Sequence, residues 1–154
     1  MFSKDISDTK KRALRMLAKR NFSESEMSKR LIEKGETQED AEETVRWLTQ
    51  LGYIDDSNYA ALIVNHYAKR GYGKARIKEE LYKRGIARDM RDEKLALIDE
   101  NEGEYAALEL LRKKLKGSED KDDLRRARDA LVRRGFSYDD ANSAISAYLS
   151  ARSE

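Results

Sequence analysis

Hydrophobic residues recur at one-turn spacing in short stretches of this chain, and wide runs of charged and polar residues separate the stretches. In one of them, Met27 and Leu31 lie four residues apart and are followed by a basic residue and then Gly35. Apolar positions three and four residues apart share one face of an α-helix, and glycine readily adopts the left-handed conformation in which helices end. The pattern therefore predicts a helix with a narrow apolar stripe that stops at Gly35.

The same pattern occurs three times at an offset of fifty residues. Its most regular part is a leucine, two intervening residues, a basic residue and a glycine, and the three copies are 31–35, 81–85 and 131–135. Apolar residues also recur four residues before each leucine and ten residues after each glycine: Met27, Ile77, Ala127, Val45, Leu95 and Ile145. Such self-similarity at a fixed period is the signature of a repeat architecture.

Each repeat predicts three helices, of which the middle one ends at the glycine. The helices before it are expected at about residues 8–20, 57–70 and 102–116. A further helix begins after the glycine, where Thr37 and Ser137 have the spacing of N-cap residues before Asp40 and Asp140. Proline is absent and no alternating β-branched runs occur, so we expect an all-α fold, an elongated tandem array of three three-helix repeats with about nine helices. The predicted repeats are residues 1–55, 56–101 and 102–154.

Polar stretches indicate where the chain passes from one repeat to the next. The first connection between repeats is predicted at Gly52 to Asp56, with Asp56 or Ser57 as the cap of the following helix. The second is predicted at the polar run from Asp99 to Gly103. We expect Gly85 to have a positive φ, because it follows a predicted helix end.

Composition agrees with narrow apolar stripes and wide solvated faces, because 40% of the residues are charged and 39% are hydrophobic. The 32 basic and 30 acidic residues nearly cancel, so total charge does not indicate the partner. No cysteine is present, which fits a reducing compartment, and the start of the chain continues into charge rather than an apolar run. We therefore expect a cytoplasmic protein with no membrane association.

Few residues of this chain are suited to catalysis. His66 is the only histidine, and it shares a helical arc with Tyr59 and Leu62, so we interpret it as a partly buried packing residue. The pair Asp55 and Asp56 lacks a third metal ligand nearby, and a capping role explains it better. The run 71–74 has too few glycines for a phosphate-binding loop. We expect no enzyme activity, no metal, no cofactor and no small-molecule substrate.

Three segments together carry a resemblance to a known family: 52–60 (GYIDDSNYA), 73–81 (GKARIKEEL) and 83–86 (KRGI). In combination they resemble the RecX family. The resemblance implies a tandem array of three-helix repeats that binds in the groove of the RecA–DNA filament and lowers the recombinase, ATPase and coprotease activities of RecA. It also implies a role in homologous recombination, DNA repair and the SOS response. The chain departs from many relatives at Tyr72, where they carry a proline or a second basic residue.

Charge differs between the repeats at matching positions of the middle helix. The positions opposite the apolar stripe are basic in the second and third repeats, at Arg76, Lys83, Arg126 and Arg133, and acidic in the first, at Glu26 and Glu33. A solvated face with pairs four residues apart is the simpler interpretation: Arg76 with Glu80, Glu79 with Lys83, Asp122 with Arg126, and Asp129 with Arg133. Such pairs contribute only about 0.2–0.5 kcal/mol each, so they do not require the basic residue to recur.

We therefore favour the hypothesis that these cations bind a partner, namely the RecA filament, with DNA phosphate contacts as an addition. The proposed partner-binding residues are Lys69, Arg70, Lys74, Arg76, Lys78, Lys83, Arg84, Arg126, Arg128, Arg133 and Arg134. Two alternatives stay open. One is a stand-alone helical nucleic-acid-binding protein, since three-helix units with a basic helix are typical of homeodomain-like modules. The other is an adaptor unrelated to recombination.

Overall fold

The computed structural model describes residues 6–153, and over this range the chain forms nine α-helices and no strand. In chain order they are α1 Asp8–Leu17, α2 Glu24–Glu33, α3 Gln38–Gln50, α4 Asp56–Lys69, α5 Lys74–Lys83, α6 Arg88–Ala96, α7 Glu100–Leu115, α8 Lys121–Arg133 and α9 Tyr138–Ser153. Consecutive triplets pack together as repeat 1 (α1–α3), repeat 2 (α4–α6) and repeat 3 (α7–α9). The predicted all-α array of three-helix repeats is confirmed.

The predicted helix caps explain most of the helix boundaries. The Thr37 hydroxyl accepts a hydrogen bond from the Asp40 N–H at 3.1 Å, and Ser137 does the same for Asp140 at 3.0 Å. The middle helices α2, α5 and α8 end before glycines with positive φ: Gly35 at 99°, Gly85 at 78° and Gly135 at 101°. The predicted conformation of Gly85 is thus confirmed, and glycine adopts it without the steric cost that a side chain imposes.

Two details of the predicted connections between repeats are wrong. Helix α4 is capped by Asp55, whose carboxylate accepts from the Asn58 N–H at 3.1 Å, and Asp56 and Ser57 already belong to the helix. The run from Asp99 to Gly103 is not a connection between helices, because Asp99 caps α7 and Gly103 lies within the first turns of that helix. A single glycine inside a helix costs about 1 kcal/mol relative to alanine, which the packing of the longer helix can outweigh.

Each repeat has its own small hydrophobic core. The fully buried large side chains include Met27, Leu31 and Leu48 in repeat 1, Ile77 and Leu81 in repeat 2, and Leu111 and Leu131 in repeat 3. His66 is exposed, so its predicted packing role is wrong. Within residues 6–153, none of the helices combines the length and the apolar composition that crossing a bilayer requires.

The three cores are separate clusters of buried residues, and the accessible surface agrees with an arrangement side by side. It amounts to 10340 Å², whereas a compact protein of 17.8 kDa exposes about 8,000 Å². The excess surface is what an elongated arrangement of small units produces. The contacts between repeats are therefore few, and they determine how surfaces on different repeats are placed relative to one another.

Candidate partner-binding surface

Repeats 1 and 2 meet at a contact that we call joint 1, made by the start of α2 and the end of α5. The buried Ser23 hydroxyl donates a hydrogen bond to the Arg84 carbonyl oxygen at 2.5 Å and accepts one from the Glu26 N–H at 3.0 Å. The Glu24 N–H donates to the Asp56 carboxylate at 2.9 Å. A single serine thus caps α2 and fastens repeat 1 to repeat 2.

Charged side chains surround joint 1. The Arg84 guanidinium donates to the Glu80 carboxylate and to the Tyr59 hydroxyl, each at 2.9 Å. Burial opposes the charge of Glu80, but the hydrogen bond and the positive charge of Arg84 outweigh it, so the pKa of Glu80 lies below its usual value. Burial raises the pKa of Asp56, and together with the nearby charges of Glu24 and Asp55 it outweighs the hydrogen bond from the Glu24 N–H, which lowers that pKa. The ion pair of Glu80 lies within α5 and therefore stabilises the folded form of repeat 2 beside joint 1, whereas burial of the Asp56 charge opposes folding.

Repeats 2 and 3 meet at joint 2, which uses the equivalent segments fifty residues further along. The Gly73 N–H donates to the Arg134 carbonyl oxygen at 2.8 Å, and the Ala75 N–H donates to the Gly135 carbonyl oxygen at 3.1 Å. The two backbones touch, because a Cβ placed on Gly73 would lie 2.4 Å from the carbonyl carbon of Gly135. Gly73 and Arg134 correspond to Ser23 and Arg84, so one mode of docking is used at both joints.

Tyr72 fills the edge of joint 2. Its ring lies under the guanidinium groups of Arg76, at 5.5 Å, and Arg134, at 4.8 Å. Arg134 also donates to the Arg70 carbonyl oxygen at 3.1 Å. Arg76 is half-buried, and its backbone lies against Gly135. Its predicted outward position is therefore wrong, because repeat 3 covers that side of α5.

The eleven proposed partner-binding residues divide into two groups by exposure. Seven are exposed: Lys69, Arg70, Lys74, Lys78, Lys83, Arg126 and Arg133. Four are half-buried: Arg76, Arg84, Arg128 and Arg134. Arg84 takes part in joint 1, and Arg76 and Arg134 take part in joint 2. At least three of the half-buried arginines thus have a structural role in the array.

The predicted ion pairs are only partly formed. Lys83 pairs with Glu79 at 3.2 Å as predicted. Glu80 pairs with Arg84 instead of Arg76, and Arg126 pairs with Asp123, at 3.3 Å, instead of Asp122. Among the described residues, no carboxylate lies within ion-pair distance of five exposed cations, namely Lys69, Arg70, Lys74, Lys78 and Arg133. The predicted pair of Asp129 with Arg133 is therefore not formed.

Four of these cations occur together in repeat 2, and we call Lys69, Arg70, Lys74 and Lys78 the basic patch. Lys74 and Lys78 lie one turn apart on α5, and the other two precede this helix. The matching residues are Lys19, Arg20, Glu24 and Ser28 in repeat 1, and Glu119, Asp120, Leu124 and Arg128 in repeat 3. All four positions are basic in repeat 2 alone. Cations without a carboxylate partner keep their field available for a negatively charged surface.

A cleft of about 610 Å³ lies beside joint 2, and we call it the joint cleft. Lys69, Arg70 and Lys74 of the basic patch line it on the side of repeat 2. The first half of α7 lines the other side, with the exposed Glu102 and Glu104. The sequence patterns did not reveal this cleft, because its two sides are brought together only by joint 2.

The joint residues were likewise not identified from the sequence. A signal for them does exist in the spacing of small residues. Ser23 and Ser25 begin α2, and Gly73 and Ala75 stand at the matching positions of α5. The third repeat lacks the pair, since it has Asp123 and Arg125 there. Small residues two apart thus occur in the two repeats that are followed by another repeat.

Comparison with protein-family models gives three matches in chain order. They are the first three-helix domain of RecX at residues 10–48, the second at 55–95 and the third at 102–145. The three ranges follow α1–α3, α4–α6 and α7–α9 of the structure. The chain belongs to the RecX family.

Individual RecX proteins extend the comparison. Curated proteins named Regulatory protein RecX, from Shigella dysenteriae serotype 1 (strain Sd197) and Escherichia coli O1:K1, are 35% identical over 98 residues. The match covers 57% of this chain and 59% of each relative, so it spans less than two thirds of their length. The crystal structure of RecX from Lactobacillus salivarius superposes with a TM-score of 0.85 at 23% identity, covering 95% of this chain and 97% of the other. A second RecX crystal structure gives a TM-score of 0.78 at 22% identity, covering 90% and 70%. These structures support the RecX fold of the whole array.

Proposed function

We propose that this RecX-family chain is a non-catalytic regulator that lowers RecA activity by binding in the groove of the RecA–DNA filament. It acts in the cytoplasm, on homologous recombination and DNA repair. The observation that carries the proposal is the basic patch, four exposed cations that no described carboxylate neutralises. Family membership adds the regulatory class, and the array form adds a way of reaching several sites at once.

The basic patch suits a filament better than it suits free DNA. Total charge is only +2, so the whole molecule is attracted weakly to any polyanion. A local group of unpaired cations accelerates the encounter with a matching acidic surface and fixes the orientation in which the array docks. A filament groove offers both protein carboxylates and DNA phosphates to such a group.

Repeat 3 offers further exposed cations. Arg126 and Arg133 lie two turns apart on α8, and joint 2 holds the end of α8 against the start of α5 through backbone hydrogen bonds. Several weak contacts on one array act together, because each bound repeat raises the effective concentration of the next. An array that lies along the groove in this way blocks it without any catalytic group.

The experiment that tests the proposal gives α5 the residues found at the matching positions of α2. The variant Lys74→Glu with Lys78→Ser removes two members of the basic patch and leaves both joints intact. A matched control, Lys11→Glu with Lys29→Ser, makes the same change of charge at exposed positions of repeat 1. We expect the α5 variant to bind immobilised RecA–DNA filaments about tenfold more weakly, and the control to change affinity less than about twofold.

Affinity should be measured at several salt concentrations, together with the RecA ATPase rate and with binding to the same DNA without RecA. The salt dependence of filament binding should be shallower for the α5 variant, because fewer charges remain to be screened. Equal filament affinity of variant and control would contradict the proposal. Equal affinity of the wild type for filaments and for bare DNA would instead favour a stand-alone nucleic-acid-binding protein.

A further inference from the structure

We infer that the joint cleft is a second binding site, which takes an apolar side chain from a segment of the partner protein. The inference rests on the proposed function, because the partner used to test it is the RecA filament. It adds an apolar contact to the charge contacts of the basic patch, three of whose cations also line the cleft.

The size and lining of the cleft suit such an anchor. A volume of about 610 Å³ is within the range of clefts that enclose a small ligand or a few side chains. Leu110 and Phe136 contribute apolar surface, and Tyr105 stands at the rim with 66% of its surface exposed. An exposed tyrosine beside apolar surface, with charged residues around it, is the composition typical of the energetically important centre of a protein interface.

The charges around the cleft decide the class of occupant. Lys69, Arg70 and Lys74 line one side. The α7 side stays acidic overall, because its one lining cation, Lys113, stands against Glu100, Glu102, Glu104 and Glu109. A nucleic acid strand in the cleft would bring its phosphates close to the α7 carboxylates, which costs energy. A protein segment avoids this cost when an acidic residue faces the basic patch and a basic residue faces α7. The occupant is therefore a protein segment with an apolar anchor between charges of opposite sign.

The cleft is formed before any partner binds. Its two sides belong to repeats 2 and 3, which the backbone hydrogen bonds of Gly73 and Ala75 hold together. The hydrogen bond from Arg134 to the Arg70 carbonyl oxygen ties the patch side to the end of α8. A preformed site loses little conformational freedom on binding, so even one inserted side chain can contribute substantially to affinity.

Gly103 allows the cleft to be filled without disturbing the fold. It lies within α7 on the lining of the cleft, its φ is not positive, and a Cβ added there meets no atom within 4 Å. Gly103→Trp should occupy the cleft, while the matched control Gly103→Ala adds only a methyl group, and alanine favours the helix. We expect Gly103→Trp to bind RecA–DNA filaments about tenfold more weakly than Gly103→Ala, at equal thermal stability and with an unchanged salt dependence. A second filling variant, Ala106→Trp, covers the case in which the new indole turns away from the cleft.

Each outcome has one meaning. Loss of filament binding by either filling variant, with unchanged binding to the same DNA without RecA, supports the inference. If both folded filling variants bind filaments as Gly103→Ala does, the inference is overturned, while the proposed function still stands on the α5 variant. If bare DNA binding falls in parallel, the occupant is nucleic acid and the inference is overturned. A wild type that does not bind filaments would overturn both.

Discussion

Joint 1 and joint 2 join successive repeats through the same helix ends, yet they do so by different chemistry. Joint 1 is fastened by the Ser23 hydroxyl, and the side chain of Ser25 packs against Gly85. At joint 2 the matching contact is made by backbone alone, because Gly73 and Gly135 place one backbone directly on the other. The Ser23 hydroxyl can adjust by rotation about its Cα–Cβ bond, whereas two touching backbones cannot. The repeats thus keep the same docking geometry although the residues that make the contact differ. We predict that joint 2 tolerates substitution less than joint 1 does.

The largest effect should come from Gly135→Ala. The new Cβ would lie 2.4 Å from the Arg76 backbone nitrogen, so either the joint opens or the helix shifts. We expect the free energy of unfolding to fall by about 3 kcal/mol or more, measured by thermal or urea denaturation. Small-angle scattering should show a changed distance between repeats 2 and 3.

Gly35→Ala separates the steric effect from backbone strain. Gly35 has nearly the same φ as Gly135, 99° against 101°, but a Cβ there meets nothing within 4 Å. Its substitution should cost only the strain of the left-handed conformation, about 1 kcal/mol. Gly85→Ala at joint 1 should lie between the two but closer to Gly135→Ala, because the Cβ of Ser25, 2.5 Å away, moves only when the backbone of α2 shifts. Equal effects at all three glycines would contradict the contrast between the joints.

Ser23→Ala should have the next largest effect, because it removes a helix cap and the hydrogen bond across joint 1 together. We expect a loss of about 2 kcal/mol in the free energy of unfolding. Ser137→Ala is the matched control, since Ser137 caps α9 without a bond to another repeat, and it should cost about 1 kcal/mol. A loss no greater than that of the control would mean that the bond to the Arg84 carbonyl oxygen contributes nothing.

The ion pair of Glu80 should make stability depend on pH. Since the pKa of Glu80 is lowered in the folded state, its contribution is present above the usual pKa of a glutamate and is lost as pH falls through the lowered value. We expect Glu80→Gln to cost less than about 1 kcal/mol at pH 7, because solvent screens part of the interaction, and to flatten the decline below about pH 4. Glu79→Gln, on the exposed side of the same helix, should change stability little. Identical pH profiles of Glu80→Gln and wild type would exclude this role.

The smallest effect should come from Asp56→Asn and should have the opposite sign. The raised pKa of Asp56 means that its charge disfavours the folded state above that pKa, and the penalty is relieved as pH falls through it. Asparagine keeps an oxygen that can accept from the Glu24 N–H but removes the repulsion. We expect a gain of a few tenths of a kcal/mol at pH 7 that vanishes near pH 4, with Asp92→Asn as an exposed control. Destabilisation by Asp56→Asn would show that the charge strengthens joint 1.

The interior of each repeat could be predicted from the sequence, because its determinants are local. Apolar spacing identified the buried faces around Leu31, Leu81 and Leu131, and the glycine after each helix identified its end. Both signals act within one or two helical turns, so a single sequence contains them. The four cations of the basic patch were among the proposed partner-binding residues, but they are not the positions opposite the apolar stripe, and their binding role stays a prediction.

The joints and the cleft could not be predicted, because they depend on residues about sixty positions apart. Helical periodicity shows which side of α5 faces its own core, but it does not show that repeat 3 covers Arg76 on another side. For the same reason it assigned Glu80 to the wrong arginine. The sequence does contain a signal for the close approach of two backbones, namely the pairs of small residues that begin at Ser23 and at Gly73.

The two outer ends of the array bear on whether separate molecules can form fibres. A contact made by two different surfaces extends indefinitely when both surfaces stay free. Here the Lys34 carbonyl oxygen, which matches the acceptors at both joints, already accepts a hydrogen bond from Arg12 at 3.2 Å. At the other end, the N–H of Asp123, which matches the donor Gly73, is taken by Asp120 at 3.3 Å, and α8 begins before that position. Both halves of a head-to-tail contact thus already have hydrogen-bond partners within the molecule, and exchanging these partners disfavours polymerisation of a protein built from self-complementary units.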